Sequence, residues 1–94
     1  MKKRLFTWIY SEAVRRNRGD IHIPLAVMDE LPDTFTIDFD GIICDGARVD
    51  ARGRIRGKGI RRALVQWIDT QELQHGQKIE VYFDQDKRLL IFRS

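Results

Sequence analysis

The chain has 94 residues, of which 43% are hydrophobic and 33% are charged, and its formal net charge is +3. These values are typical of a single globular domain over residues 1–94, and they exclude a disordered or low-complexity chain. The single cysteine, Cys44, excludes an intramolecular disulfide, and no apolar run is long enough for a membrane helix. We therefore expect a cytoplasmic protein with no membrane partner.

The first third of the chain shows strand, turn and helix patterns in turn. Aromatic and β-branched residues predict a strand over Lys3–Tyr10. Arg15–Gly19 has the composition of a polar turn, and Ile21–Ile23 is typical of a short strand. Pro24 suits a first helical position, and the apolar residues that follow it at helical spacing predict a short helix over Pro24–Leu31.

The middle of the chain predicts a pair of strands. Phe35–Phe39 alternates apolar and polar residues, which is the period of a half-buried strand. Asp40-Gly41 is typical of a turn, and Ile42–Cys44 predicts another short strand that ends at Asp45-Gly46.

The last third predicts a helix and a hairpin. Apolar residues at i, i+3, i+4, i+7 and i+8 from Ile60 predict an amphipathic helix at about 59–69, the longer of two helices. Lys78–Phe83 and Arg88–Phe92 are predicted strands, joined by a turn at Asp84–Lys87.

A weak internal repeat relates the two halves of the chain. Arg18–Pro24 precedes a helix and a strand, and Arg52–Gly59 does the same. Two such units would pair into a small β-rich, barrel-like α+β domain with a short helix at each end. Chance similarity remains the alternative to true pseudo-symmetry.

Charge is distributed unevenly between two neighbouring segments. Asp29–Asp45 contains six acidic residues and no basic one. Ala47–Arg62 contains one acid, Asp50, and seven basic residues, which are Arg48, Arg52, Arg54, Arg56, Lys58, Arg61 and Arg62. This asymmetry predicts an acidic face and a basic face.

Within the basic segment, charged residues occupy the even positions from Arg48 to Lys58. In a strand this alternation places the basic side chains on one side, where a polyanion would relieve their mutual repulsion. Arginine's planar fork matches phosphate oxygens and the guanine edge. We therefore expect a nucleic-acid-binding site for double-stranded DNA, while a solvated edge strand is the structural alternative. Its predicted residues are Arg15, Arg16 and Arg18 in the first half, and Arg48, Arg52, Arg54, Arg56 and Lys58 in the second.

Residues with the spacing of a catalytic or metal site are not evident. His22, His75 and Cys44 are separated in sequence, and no serine lies in a nucleophile elbow. We expect a non-enzymatic protein without a metal or cofactor.

Two segments resemble the DNA-binding pseudobarrel domains of plant transcription factors and of restriction-endonuclease effector domains. These are Ile21-His22-Ile23-Pro24 before a helix, and Gly76-Gln77-Lys78-Ile79-Glu80-Val81 before the final hairpin. Each half is also similar to the swapped-hairpin regulators of bacteria. The resemblance implies two basic arms that clasp the major groove, at Arg15–Asp20 and Arg48–Lys58.

Two other functions remain open from the sequence. The complementary acidic and basic segments also suit a protein–protein interaction module or a homodimeric accessory protein. A binding domain for a small anionic ligand, or a weak enzyme, would require a concave pocket with convergent polar groups.

Overall fold

The computed structural model describes residues 1–16 and 20–94, which form one α+β unit. Its elements in chain order are β1 (Lys2–Ile9), α1 (Glu12–Arg16), α2 (Leu25–Met28), β2 (Phe35–Phe39), β3 (Ile42–Val49), β4 (Ile55–Arg56), α3 (Ile60–Gln71), β5 (Lys78–Asp84) and β6 (Leu89–Arg93).

The strands form one curled sheet with the order β1-β5-β6-β2-β3-β4. Strands β2 and β6 are parallel, and the other neighbours are antiparallel. The sheet curls into a half-barrel, which confirms the small, β-rich, barrel-like α+β fold predicted from the sequence.

Helix α3 fills the concave side of the sheet. Trp67 is fully buried, and its ring stacks on Phe39 at a centroid distance of 5.0 Å and on Trp8 at 6.0 Å. The apolar positions that predicted this helix are all buried, so burial of this face stabilises it against the sheet. The prediction of α3 as the longest helix is confirmed for the described residues.

Helix α1 was not predicted, because its basic residues gave Arg15–Gly19 the composition of a turn. The Ser11 hydroxyl accepts a hydrogen bond from the Ala13 N–H at 3.3 Å, as expected of a residue that caps a helix. Glu12 lies in the first turn, and Arg15 and Arg16 lie in the last, which suits the helix dipole. The rest of the predicted turn, residues 17–19, lies outside the described residues.

The second correction concerns β3, which continues through the predicted turn at Asp45-Gly46 to Val49. On β2, Ile37 and Phe35 pair with Cys44 and Ala47, so β3 carries one extra residue at this point. Gly46 has φ = +71°, which lets the strand form a β-bulge and continue instead of reversing.

The predicted strand Ile21–Ile23 forms only an isolated antiparallel bridge between His22 and Arg54. This bridge joins equivalent parts of the two proposed repeat units. In the two units, β2 is equivalent to β5 and β3 is equivalent to β6, so a true two-fold axis that pairs β2 with β6 would also pair β5 with β3. The edge of β5 that this pair needs is instead occupied by β1. The barrel therefore stays open. No helix in residues 1–16 and 20–94 has the length and apolar character needed to cross a membrane.

Candidate nucleic-acid interface

The basic segment, which the sequence placed in a strand or a loop, folds as a β-hairpin and not as one continuous strand. Arg48 pairs with Arg56, and Val49 pairs with Ile55. The intervening turn depends on Gly53, which has φ = +82°. Ile55 is buried, so the pairing still places the even-numbered basic positions of both hairpin strands on the outer face.

Asp50 organises the hairpin turn. Its carboxylate accepts hydrogen bonds from the backbone N–H groups of Arg54 at 3.0 Å and Arg52 at 2.9 Å. It also accepts them from Arg54 Nε at 2.9 Å and Arg56 Nε at 3.3 Å. The backbone bond from Arg54, together with the other donors, holds the pKa of Asp50 well below its ordinary value.

A second carboxylate completes this cluster. Asp20 lies 3.1 Å from Arg56 and 3.8 Å from Arg54, measured between carboxylate oxygens and guanidinium nitrogens. The cluster of Asp20, Asp50, Arg54 and Arg56 is therefore neutral as a group. It joins the two predicted arms at Asp20, and it leaves Arg54 and Arg56 engaged with the protein's own carboxylates. Phosphate binding by these two arginines stays a prediction, and it would require competition with Asp20 and Asp50.

In the first predicted arm, too, one arginine is paired with a carboxylate of the protein and, among the described residues, another is not. Arg15 donates two hydrogen bonds to Asp69 on α3, at 2.9 and 3.2 Å, and this contact lowers the pKa of Asp69. Arg16 is exposed, and no described carboxylate lies within 4.0 Å of its guanidinium. Arg18 lies outside the described residues.

Four cations of the hairpin, of the turn after it and of the first turn of α3 remain exposed. They are Arg48, Arg52, Lys58 and Arg62, and in the described parts of the chain none has a carboxylate within ion-pair distance. We call them the exposed cation set. Arg62 was missing from the predicted site residues. Its place on the polar side of the amphipathic helix, next to the basic segment, could have identified it.

Arg61 has a supporting position. It donates hydrogen bonds to the carbonyl oxygens of Val14 at 2.6 Å and Arg15 at 2.5 Å, at the end of α1. This contact satisfies carbonyl groups that a short helix leaves without partners. Arg61 therefore joins α1 to α3.

The start of α3 adds to the positive potential of this surface. Gly59 precedes the helix in a left-handed conformation, with no side-chain cap. The first turn of α3 contains no acidic residue, so the positive end of the helix dipole lies beside Lys58 and Arg62.

A groove lies between the first half of β3 and the start of α3, with a volume of about 470 Å³. Ile43, Asp45, Lys58, Arg62 and Gln66 are among its lining residues, and we call it the β3–α3 groove. A smaller depression of about 100 Å³ lies between Asp20, Arg56 and Arg61. It is smaller than ordinary ligand pockets, and its charged groups already have partners in the chain.

The acidic segment does not neutralise the exposed cation set. Asp38 accepts hydrogen bonds from Arg93 at 3.0 Å and from the Gly41 N–H at 2.6 Å. Burial acts to raise the pKa of Asp38, but these bonds hold it below its ordinary value. Asp40 accepts from Trp67 Nε1 at 2.8 Å, and Asp45 accepts from the Thr36 hydroxyl at 3.0 Å.

The chain was compared with family models, curated proteins and solved structures, and none of them matches.

Proposed function

We propose that this chain is a non-enzymatic binding protein for double-stranded DNA, and that the exposed cation set makes the principal contacts. The observation that carries the proposal is the exposure of four cations on one hairpin–helix segment, without carboxylates in ion-pair contact in the described residues. Unpaired cations that share a surface repel one another, and phosphate groups would relieve that repulsion.

The shape of the segment also supports this proposal. A two-stranded β-ribbon fits the major groove of B-form DNA. Arg52 lies in the turn of the β3–β4 hairpin and is exposed, so it is the best candidate for contact with base edges. Lys58 and Arg62 lie beyond the base of the hairpin, and they suit phosphate contacts that fix its orientation.

The proposal makes a quantitative statement about salt. If each cation of the set neutralises one phosphate, the logarithm of the affinity falls with the logarithm of salt concentration with a slope of about −3.6. Involvement of Arg54 and Arg56 would make the slope steeper, at the expense of their bonds to Asp20 and Asp50.

The test is duplex DNA binding by fluorescence anisotropy over a series of salt concentrations. The variant Arg48→Gln/Arg52→Gln/Lys58→Gln/Arg62→Gln removes the exposed cation set. The matched control, Lys2→Gln/Lys78→Gln/Lys87→Gln/Arg88→Gln, removes the same charge from exposed residues of β1, β5 and the β5–β6 turn.

We expect the first variant to lose measurable binding at moderate salt, while the control keeps the salt slope of the unaltered protein. Equal losses in both variants would show that net charge alone determines binding. Absence of binding by the unaltered protein at low salt would refute the proposal.

A further inference from the structure

Leu25 and Ile43 are two large apolar side chains that remain exposed, at 77% and 56% of their surface. The charged residues beside them differ in sign, because an acidic residue follows Leu25 and two basic residues lie beside Ile43. Leu25 lies one helical turn before Asp29, which is also exposed, and we call this pair the α2 knob. Ile43 lies in the β3–α3 groove beside Lys58 and Arg62.

The α2 knob and the β3–α3 groove lie toward opposite ends of β3. Ile43 is the second residue of that strand. The end of α2 lies beside the hairpin turn beyond Val49, because Met28 Sδ would be 3.6 Å from a Cβ atom added at Gly53. The strand from Ile43 to Val49 spans about 20 Å. The knob and the groove therefore cannot meet within one molecule.

We propose that the β3–α3 groove binds the α2 knob of a second copy of this chain, head to tail. Leu25 would cover Ile43, and the Asp29 carboxylate would pair with Lys58 and Arg62. The lining of the groove contains two basic residues, Lys58 and Arg62, and one acidic residue, Asp45, so it has an excess of one positive charge. This balance favours an occupant that carries one carboxylate beside an apolar side chain.

This contact is heterologous, since each molecule uses a different surface from its partner. An open assembly therefore keeps a free knob at one end and a free groove at the other, and it grows with concentration unless it closes into a ring. The two surfaces are small compared with those of obligate dimers, so we expect weak, reversible association that high salt reduces.

Two variants separate the two surfaces. Leu25→Ser/Asp29→Asn removes the knob, and Ile43→Ser/Arg62→Gln removes the groove. All four positions are exposed, so both variants should retain the fold, which near-ultraviolet circular dichroism checks. Sedimentation velocity at high protein concentration then measures the assembly state.

We expect the unaltered protein to exceed its monomer mass of 11.1 kDa as its concentration rises, and to return to that mass in high salt. Each variant alone should stay monomeric. An equimolar mixture should form a two-molecule complex and nothing larger, because one intact knob and one intact groove remain. A monomeric unaltered protein, a self-associating variant or a mixture without the complex would overturn the proposal.

This inference goes beyond the proposed DNA binding, although both proposals use Lys58 and Arg62. Only self-association requires Leu25 and Ile43, and only DNA binding requires Arg48 and Arg52, which lie outside the groove lining. The variant Leu25→Ser/Asp29→Asn, which keeps the exposed cation set, therefore tests self-association alone, and Arg48→Gln/Arg52→Gln tests DNA binding alone.

Discussion

The carboxylate of Asp50 binds the backbone N–H and the guanidinium Nε of the same residue, Arg54, at 3.0 and 2.9 Å. One acidic side chain therefore stabilises the hairpin turn and also pairs with Arg54, a residue that the sequence predicted as a nucleic-acid contact. Asp50, the single acid of the basic segment, thus determines the conformation of that segment.

Replacing Asp50 with asparagine should destabilise the fold above pH 4 and reduce the acid sensitivity of the protein. The folded-state pKa of Asp50 is lowered, so its stabilising contribution is present above the unfolded-state pKa and disappears as the pH falls through the folded-state value. Urea midpoints from pH 7 down to pH 2 measure this dependence.

Asp45→Asn is the control for that series, because Asp45 is exposed and its bond from the Thr36 hydroxyl needs only an oxygen acceptor. We expect its urea midpoints to follow those of the unaltered protein. If Asp50→Asn matched this control at every pH, the assigned role of Asp50 in the turn would be wrong.

Replacing Tyr10 with phenylalanine should leave the protein equally stable or make it more stable. Tyr10 is fully buried, and its hydroxyl has no hydrogen-bond partner in the described structure. An unsatisfied buried polar group costs about 1–3 kcal/mol, so its removal should recover part of that free energy. Urea denaturation of both proteins measures the difference, and a clear loss of stability would show that the hydroxyl has a partner.

The same site makes a spectroscopic prediction. Burial raises the pKa of Tyr10 above its ordinary value of 10. In an ultraviolet pH titration, Tyr10→Phe should therefore remove a phenol signal that appears above pH 10. Removal of a signal at or below pH 10 would contradict the effect of burial on this side chain.

Much of the architecture could be predicted because burial determines periodicity. The 3.6-residue pattern from Ile60 marks α3, whose apolar face must cover the sheet. The alternation in Phe35–Phe39 marks a strand whose apolar side chains are buried, although Asp38 on its other face is buried as well. Helix α1 was missed because five residues carry too few apolar positions to show a period, although Ser11 and Glu12 are typical of a helix start.

The candidate site could be predicted only in part, because charge pairing depends on distant residues. Asp20 lies 36 positions from Arg56 in sequence, and Asp69 lies 54 positions from Arg15. No local pattern indicates these contacts. A glycine in the sequence is equally difficult to interpret, because it can mark different backbone features. Gly46 allows a bulge within a strand, whereas Gly53 allows the chain to reverse.

Replacing Gly53 with alanine should destabilise the protein more than replacing Gly46. Both residues have positive φ, at +82° and +71°, so alanine is strained at either position, by about 1–2 kcal/mol. At Gly53 a new Cβ would also lie 3.0 Å from the Ile23 carbonyl oxygen, whereas at Gly46 nothing lies within 4 Å. Urea denaturation of the two variants isolates this close approach, and equal losses would show that the Ile23 segment moves away without cost.

Two pairs of arginines in one hairpin should have different roles, although replacing either pair with glutamine removes the same charge. Arg54→Gln/Arg56→Gln breaks the bonds to Asp20 and Asp50, so we expect a lower urea midpoint. Arg48→Gln/Arg52→Gln removes exposed side chains, so the midpoint should stay unchanged while DNA affinity falls. The salt slope should become less negative, by about 2 if both arginines contact phosphates and by about 1 if Arg52 contacts base edges instead. Anisotropy and denaturation of both variants give the four values. If the first pair weakened DNA binding as much as the second while the midpoint stayed constant, Arg54 and Arg56 would be phosphate ligands as the sequence predicted, and their bonds to Asp20 and Asp50 would open when DNA binds.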